Sequence, residues 1–157
     1  MQKIRDFLFP APPSAMLASV LLLVARIVFG LLFLNHGVAK WVAFESAAIS
    51  FPDPLGVGSF TSLLLAIFAE VFCSVGFILG LLYRLSLIPM ILTMCVAFFI
   101  IHGADPLSVK ELSLVFLTVF VLMFLSGPGY FSIDSSLRRL FPKNDDTDDT
   151  TGDTVNL

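Results

Sequence analysis

Four long apolar segments, separated by shorter polar ones, make up most of the chain. They cover residues 14–36, 58–82, 85–101 and 111–126, and few charged side chains fall inside them. The hydrocarbon layer of a bilayer is about 30 Å thick, so a helix needs about 20 mostly apolar residues to cross it. The pattern therefore predicts an all-α integral membrane protein, an antiparallel four-helix transmembrane bundle with short interfacial helices at both ends. Pro89 is expected to bend the third helix near its start.

Shorter segments complete the predicted organisation. Residues 1–13 mix basic and apolar side chains before a run of prolines, which indicates an N-terminal interfacial segment. Residues 14–141 form the transmembrane domain and end in an amphipathic collar. Residues 142–157 are an acidic tail that we expect to be disordered.

The collar follows the fourth apolar segment. Gly127 and Pro128 are expected to stop that helix. Asp134 is expected to cap a short helix that carries Arg138 and Arg139 beside apolar residues. This helix would lie on the membrane surface, with its arginines among the lipid headgroups.

The composition supports this fold class and excludes others. The chain is 57% hydrophobic and 13% charged, whereas soluble domains average roughly half apolar and a quarter charged. Five aspartates of the tail account for the net charge of −3, so the body is nearly neutral. A basic surface for nucleic acid and the zinc, P-loop and dinucleotide fingerprints are absent, so we predict no metal site.

Basic residues predict the orientation. The positive-inside rule counts lysine and arginine in short flanking loops. One side of the membrane receives Lys40 and Lys110, and the other receives six basic residues: Lys3, Arg5, Arg84, Arg138, Arg139 and Lys143. Both termini are therefore expected in the cytoplasm of a bacterial-type inner (plasma) membrane, with loops 37–57 and 103–110 outside. Arg84 lies in a tight turn, which makes the second and third helices antiparallel neighbours.

Arg26 and Glu70 are charged residues deep within the first and second spans. Each lies about 15 Å below the outer end of its helix at 1.5 Å per residue. Because unpaired charges are costly in a membrane, equal depth suggests that the two side chains pair. Such a pair would serve either helix packing or function, and the sequence does not choose between these roles.

Small and polar residues continue outward from this level on both helices. On the first helix the stripe contains Arg26, Gly30, Phe33, His36, Gly37 and Lys40, and on the second Ser59, Ala66, Glu70, Cys73 and Phe77. Facing each other, the stripes would line a cavity that opens outward.

His36 and His102 fall at the outer ends of their helices. They could ligate a haem iron or donate to a quinone carbonyl, and the plainer alternative is bonding to carbonyls or water. Glu111 either caps the fourth helix or closes a ring with His36, Lys40 and His102.

Cys73 and Cys95 are the two cysteines of the chain. Their helical positions differ in depth by roughly 9 Å, and a disulfide needs Cα atoms within about 7 Å. We therefore expect two free thiols.

Several motifs in order resemble the DoxX family of four-span membrane proteins. The resemblance covers about residues 20–138. It rests on Arg26 with Gly30-Leu31-Leu32-Phe33-Leu34-Asn35-His36-Gly37 and Lys40, on Glu70 with Gly76 and the Leu79-Gly80-Leu81 to Arg84 turn, on Ala97 to His102-Gly103, and on Glu111 and Gly127-Pro128-Gly129-Tyr130 with Ser132 and Asp134.

The resemblance implies a membrane oxidoreductase component, related to the DoxD subunit of thiosulfate:quinone oxidoreductase. Other members of the wider superfamily look like chaperone or trafficking proteins. The family positions that carry over are Arg26, His36, Lys40, Glu70, Arg84, His102 and Glu111.

Two functional hypotheses follow. The first is a redox subunit that binds a quinone-like or other small apolar substrate, with quinone preferred to haem as the cofactor and with a redox partner subunit or a second copy of the chain as partner. Its candidate catalytic residues are Arg26, Glu70, His36 and His102, its substrate-binding residues are Lys40, Glu111, Phe33 and Cys73, and its structural residues are Arg84, Gly127, Pro128 and Asp134.

The second hypothesis is a noncatalytic module that binds a membrane lipid or a partner membrane protein. A transporter is a weaker third reading, because a four-helix chain would have to oligomerise.

Overall fold

The computed structural model describes residues 13–140, and this part of the chain is entirely helical apart from its turns. Four helices are long and apolar enough to cross a membrane, which confirms the predicted fold class. The helices are α1 (Ala15–Val42), α2 (Phe44–Ser50), α3 (Ser59–Leu79), α4 (Tyr83–Ile101), α5 (Leu107–Ser126) and α6 (Ile133–Leu140). The predicted acidic tail and all of the N-terminal segment except Pro13 lie outside the described residues.

The short connections make successive spans antiparallel and give the bundle two ends. At one end, called the termini side here, α1 begins, α3 turns into α4, and α5 runs into α6. At the other end, the loop side, α1 continues into α2 and α4 connects to α5. The turn between α3 and α4 makes them neighbours, as expected from Arg84.

The predicted loop over residues 37–57 was wrong, because much of it is helical. Helix α1 runs on to Val42, and α2 occupies Phe44–Ser50. No proline interrupts this stretch before residue 52, and Lys40 finds an ion partner within the bundle. The extra turn of α1 therefore remains packed against α3 instead of ending at the outer surface.

Aromatic side chains fill the centre of the bundle. Phe33 of α1, Phe77 of α3 and Phe120 of α5 are at most 1% exposed. The ring of Phe120 lies edge-on to Phe33 at 5.0 Å and to Phe77 at 5.7 Å between centroids. Such pairs contribute about 0.5–1.5 kcal/mol beyond the area they bury, and they join three of the spans.

Two glycines let α1 approach α3 closely. A Cβ on Gly37 would lie 2.7 Å from the Glu70 Cβ, and one on Gly30 would overlap Ile78. In a membrane, small residues of this kind allow backbones to pack where lipid offers no hydrophobic driving force. The contact brings the backbone of Glu70 against α1.

Asp134 caps a helix other than the one predicted. Its carboxylate oxygens accept from the N–H groups of Leu82 at 2.9 Å and Tyr83 at 2.8 Å, at the start of α4. Its own helix is capped by Ser132, whose Oγ accepts from the Ser135 N–H at 3.1 Å. The prediction was wrong because α6 folds back under the α3–α4 turn, where the first amides of α4 lie free.

Asp53 ties the loop before α3 to the first turn of that helix. Its carboxylate accepts from the N–H groups of Val57 and Gly58 at 3.0 and 2.8 Å, and from the Ser62 hydroxyl at 2.8 Å. These bonds favour the charged form and lower the pKa of Asp53, the Gly58 N–H being the largest cause.

We expect the hydrogen bonds to Asp53 to weaken in acid. A lowered folded-state pKa means that the stabilisation is complete above the ordinary value of 3.8 and is lost as the pH falls through the lowered pKa. Hydrogen exchange of the Val57 and Gly58 amides should therefore accelerate below pH about 4, after correction for intrinsic exchange. Asp53→Asn should remove this pH dependence, and an unchanged pH profile in the variant would contradict the assignment.

Gly80 and Gly56 offer a matched pair of substitutions, because their φ angles are 68° and 69°. A Cβ on Gly56 meets nothing within 4 Å, whereas one on Gly80 would overlap Arg26 and lie 2.5 Å from the Ser132 Cβ. Gly56→Ala should cost only the left-handed backbone penalty of about 1–2 kcal/mol. Gly80→Ala should cost about 1–3 kcal/mol more through overpacking. Melting in mild detergent measures both, and equal losses would mean that the α3–α4 turn is not packed as described.

Candidate functional site

Arg26 does not pair with Glu70, so the predicted pairing was wrong. Its guanidinium donates from Nη1 to the Pro128 carbonyl at 3.1 Å and from Nη2 to the Phe131 carbonyl. It also lies 5.9 Å from the centre of the Tyr83 ring. The side chain is 1% exposed and points to the termini side.

The direction of Cα–Cβ bonds explains why the side chains of two residues at similar depth point to opposite ends of the bundle. In a helix these bonds tilt toward the N-terminus. Helix α1 begins on the termini side and α3 begins on the loop side, so Arg26 and Glu70 lean in opposite directions. Depth along a helix axis gives only the positions of the Cα atoms, so equal depth does not bring the two side chains together.

Arg26 holds the segment that follows α5 against the bundle. Gly127, with φ of 80°, ends α5, and the carbonyl of Pro128 then accepts from Arg26. Tyr83, beneath the guanidinium, donates its hydroxyl to the Met123 carbonyl at 3.1 Å. These contacts support the structural reading of Gly127 and Pro128 and make Arg26 a clamp for the termini side.

Glu70 pairs with Lys40 instead. The Lys40 Nζ lies 2.5 Å from the Glu70 Oε2, and the side chains are 30% and 4% exposed. Glu70 belongs to a π-helical stretch, Phe68–Phe72, inside α3. Such stretches occur often at functional sites, because the widened turn displaces a side chain from its regular helical position.

This ion pair lines a cavity of about 160 Å³ on the loop side. All four spans contribute to it, and a second π-helical stretch, Val96–Ile101, leads into its rim at His102. The polar lining residues are His36, Lys40, Glu70, His102 and Ser113, and the apolar ones are Phe33, Met94, Ala97, Val109, Leu112 and Phe116.

The two histidines are held differently. His36 lies edge-on to Phe116, with 5.9 Å between ring centroids. His102 places Nδ1 2.8 Å from the carboxylate of Asp105.

Asp105 was missed by sequence reasoning, although its spacing of three residues from His102 was a usable signal. Ser113 and Met94 carried no such signal, because only packing brings them to the cavity.

The structure separates Glu111 from the predicted ring. His36, Lys40 and His102 line the cavity together, and Glu70 occupies the acidic position. Glu111 is exposed, and it does not cap α5 either, because that helix begins at Leu107 after Pro106. The earlier start leaves Glu111 in the second turn, so both predictions for this residue were wrong.

Two further predicted residues lie away from the cavity. Cys73 is 7% exposed within the aromatic core, and like Cys95 it is a free thiol, as expected. Arg84 lies on the termini side, with its guanidinium 5.6 Å from the centre of the Phe124 ring. Within residues 13–140, no cluster of three or more histidine, cysteine, aspartate or glutamate side chains could hold a metal ion.

The cavity is small for a cofactor. Sites for drug-sized ligands enclose about 300–1,000 Å³, whereas a cavity of about 150 Å³ accommodates a single benzene ring. At about 160 Å³, the space takes one ring with a few polar substituents. A haem does not fit.

A sequence model described as DoxX matches residues 21–103. The matched region holds His36, Lys40, Glu70 and His102 and ends before α5. The chain matches no curated protein and no solved structure.

The ion pair can be tested by a double-mutant cycle. Lys40→Met leaves a buried carboxylate without its cation, and breaking such a pair costs up to about 3–5 kcal/mol. Glu70→Met should cost less, because Lys40 is 30% exposed and can turn toward solvent. The double variant should recover most of the loss, since an apolar pair is often neutral. Melting in mild detergent measures the cycle, and strictly additive losses would show that the residues do not interact.

Proposed function

The chain belongs to the DoxX family, and from this premise we propose that it is a membrane-embedded redox subunit. In this proposal the ring of a quinone-like or similarly small apolar molecule binds in the cavity at Lys40 and Glu70. The observation that carries the proposal is an ion pair between a buried carboxylate and a partly exposed ammonium, in the wall of a ring-sized cavity where all four spans meet. A few convergent polar groups in an apolar setting are the usual composition of a ligand site.

Lys40 is the group that would recognise the ligand. Its ammonium has three N–H donors, and the structure commits one of them to Glu70. The remaining donors suit a carbonyl oxygen. Glu70 holds the ammonium in place, and the exposed fraction of Lys40, 30%, leaves it reachable from the cavity.

The apolar lining suits a flat ring. Phe33 and Phe116 line the cavity and pack against each other, with 5.3 Å between ring centroids. Met94 adds a flexible thioether. The volume of about 160 Å³ admits the headgroup alone, so a long tail would remain among the lipids.

Reduction of a quinone to a quinol takes up two electrons and two protons. His36 and the His102–Asp105 pair at the cavity rim are the groups suited to relay protons. The electrons would come from a partner redox subunit. Arg26 has a structural role in this scheme, because its guanidinium faces the termini side.

We place the protein in a bacterial-type plasma membrane with its termini in the cytoplasm and the cavity facing outward. Among the described residues, Arg84, Arg138 and Arg139 lie on the termini side. On the loop side, Lys40 is neutralised by Glu70, which leaves Lys110. This distribution agrees with the positive-inside rule.

The alternative is a noncatalytic module that binds a lipid or a partner membrane protein. The outer faces of the helices favour it, because only 22% of an apolar 18-residue stretch of α5 is buried. Leu122 and Leu125 are 58% and 70% exposed. These faces suit lipid and helix partners equally, whereas the Lys40–Glu70 cavity has no use in this reading.

Tryptophan fluorescence provides a direct test of ligand binding. The chain has one tryptophan, Trp41, which follows Lys40 and is 51% exposed, and quinones quench indole emission. We expect a short-tailed quinone to quench the protein saturably in nanodiscs. The Lys40→Met/Glu70→Met variant should weaken binding at least about tenfold, ~1.4 kcal/mol, while remaining folded.

The matched control is Lys110→Met, because this lysine lies on the same side but outside the cavity, bonded to the Gly103 carbonyl. It should bind like the native chain. Quenching that never saturates, or equal losses in the control and the double variant, would refute ligand binding at Lys40 and Glu70. Recovery of a cross-linked membrane protein without any quinone binding would establish the alternative.

A further inference from the structure

A second polar depression lies at the opposite end of the bundle from the Lys40–Glu70 cavity. It has a volume of about 660 Å³ and is formed where the start of α4, the segment after α5 and α6 meet. We propose that this depression, called the arginine basin here, binds the headgroup of an anionic phospholipid. The basin is separate from the Lys40–Glu70 cavity, and lipid binding there does not depend on the proposed redox function.

Two arginines from different helices supply the positive charge. Arg84 stands in the first turn of α4 and Arg138 in α6, and both line the basin. Arg84 lies over the Phe124 ring, a contact that orients a guanidinium while leaving its N–H edge for an anion. Guanidinium groups match the geometry of phosphate oxygens.

The carboxylate of Asp134 also lines the basin. Its hydrogen bonds explain why it repels a bound anion only weakly. Both of its oxygens accept backbone N–H groups, from Leu82 and Tyr83. The guanidinium of Arg26 lies against Gly80, whose carbonyl accepts from the Asp134 N–H at 3.0 Å, so a positive charge is close to this carboxylate. Asp134 is therefore partly neutralised, and Arg84 and Arg138 dominate the open side of the basin.

The setting favours a lipid over a free phosphate. Leu82 and Leu85 at the basin are 59% and 61% exposed, and they offer an apolar path for an acyl chain beside the arginines. Helix α4 has 19 residues, about 28 Å at 1.5 Å per residue, which matches the hydrocarbon thickness. Its first turn, and with it the basin, therefore lies at headgroup level.

Native mass spectrometry of the delipidated full chain tests this assignment. We expect added phosphatidylglycerol to be retained in preference to phosphatidylcholine. The Arg84→Gln/Arg138→Gln variant should lose this preference, with phosphatidylglycerol binding weakened at least about tenfold. An unchanged melting temperature would show that the variant is folded.

Arg139→Gln is the matched control. Arg139 lies beside Arg138 on α6, but its guanidinium bonds to the carbonyls of Ser135 and Tyr130 at 3.2 Å and does not line the basin. This variant should keep the native preference. Equal losses in Arg139→Gln and the double variant would mean that only general surface charge attracts the lipid, and retained binding in the double variant would locate the lipid elsewhere. Either result would overturn the proposal.

Inorganic phosphate distinguishes a lipid site from a site for a free anion. Tens of millimolar phosphate should leave the bound phosphatidylglycerol in place, because phosphate lacks the acyl chains that Leu82 and Leu85 would contact. Full displacement by phosphate would assign the basin to a soluble anion and overturn the lipid proposal.

Discussion

A buried guanidinium has little water to solvate it, and the termini side of the structure depends on how Arg26 meets that requirement. Arg26 binds the carbonyl oxygens of Pro128 and Phe131 and rests against Tyr83. Because those carbonyls belong to the segment after α5, satisfying the charge also folds that segment back onto the bundle. Asp134 then reaches the first amides of α4, so one buried charge organises the whole termini side.

Glu70 is also a charged side chain inside a span, and the Lys40 ammonium balances its charge. Unlike the arrangement around Arg26, this ion pair leaves groups that can bind a ligand. A guanidinium held by carbonyls and covered by backbone is closed to ligands. The Lys40 ammonium is 30% exposed and keeps unused donors beside a cavity. This contrast is why the proposed ligand site lies with Lys40 and Glu70, and why Arg26 is a structural residue despite its matching depth.

The two ends of the bundle also suit different ligands. On the loop side the cavity is narrow, lies among all four spans and has aromatic walls, which favours a single ring. On the termini side the basin is about four times larger by volume, about 660 against 160 Å³, and it is lined by arginines at headgroup level. The basin suits a charged headgroup that remains in contact with the membrane surface.

The sequence by itself determined the fold class, because apolar segments of spanning length can satisfy their backbone in lipid only as helices. It also identified most of the polar residues of the cavity, because ionisable side chains are costly inside an apolar span and are therefore rare there. Only the tertiary structure decided which of them meet. Lys40 meets Glu70 because α1 extends past Gly37 and a π-helical turn carries Glu70. Arg26 meets the backbone of Pro128 and Phe131 because side chains on antiparallel helices tilt in opposite directions. A residue's depth follows from its position in a helix, whereas its partner depends on where other helices start and how they pack.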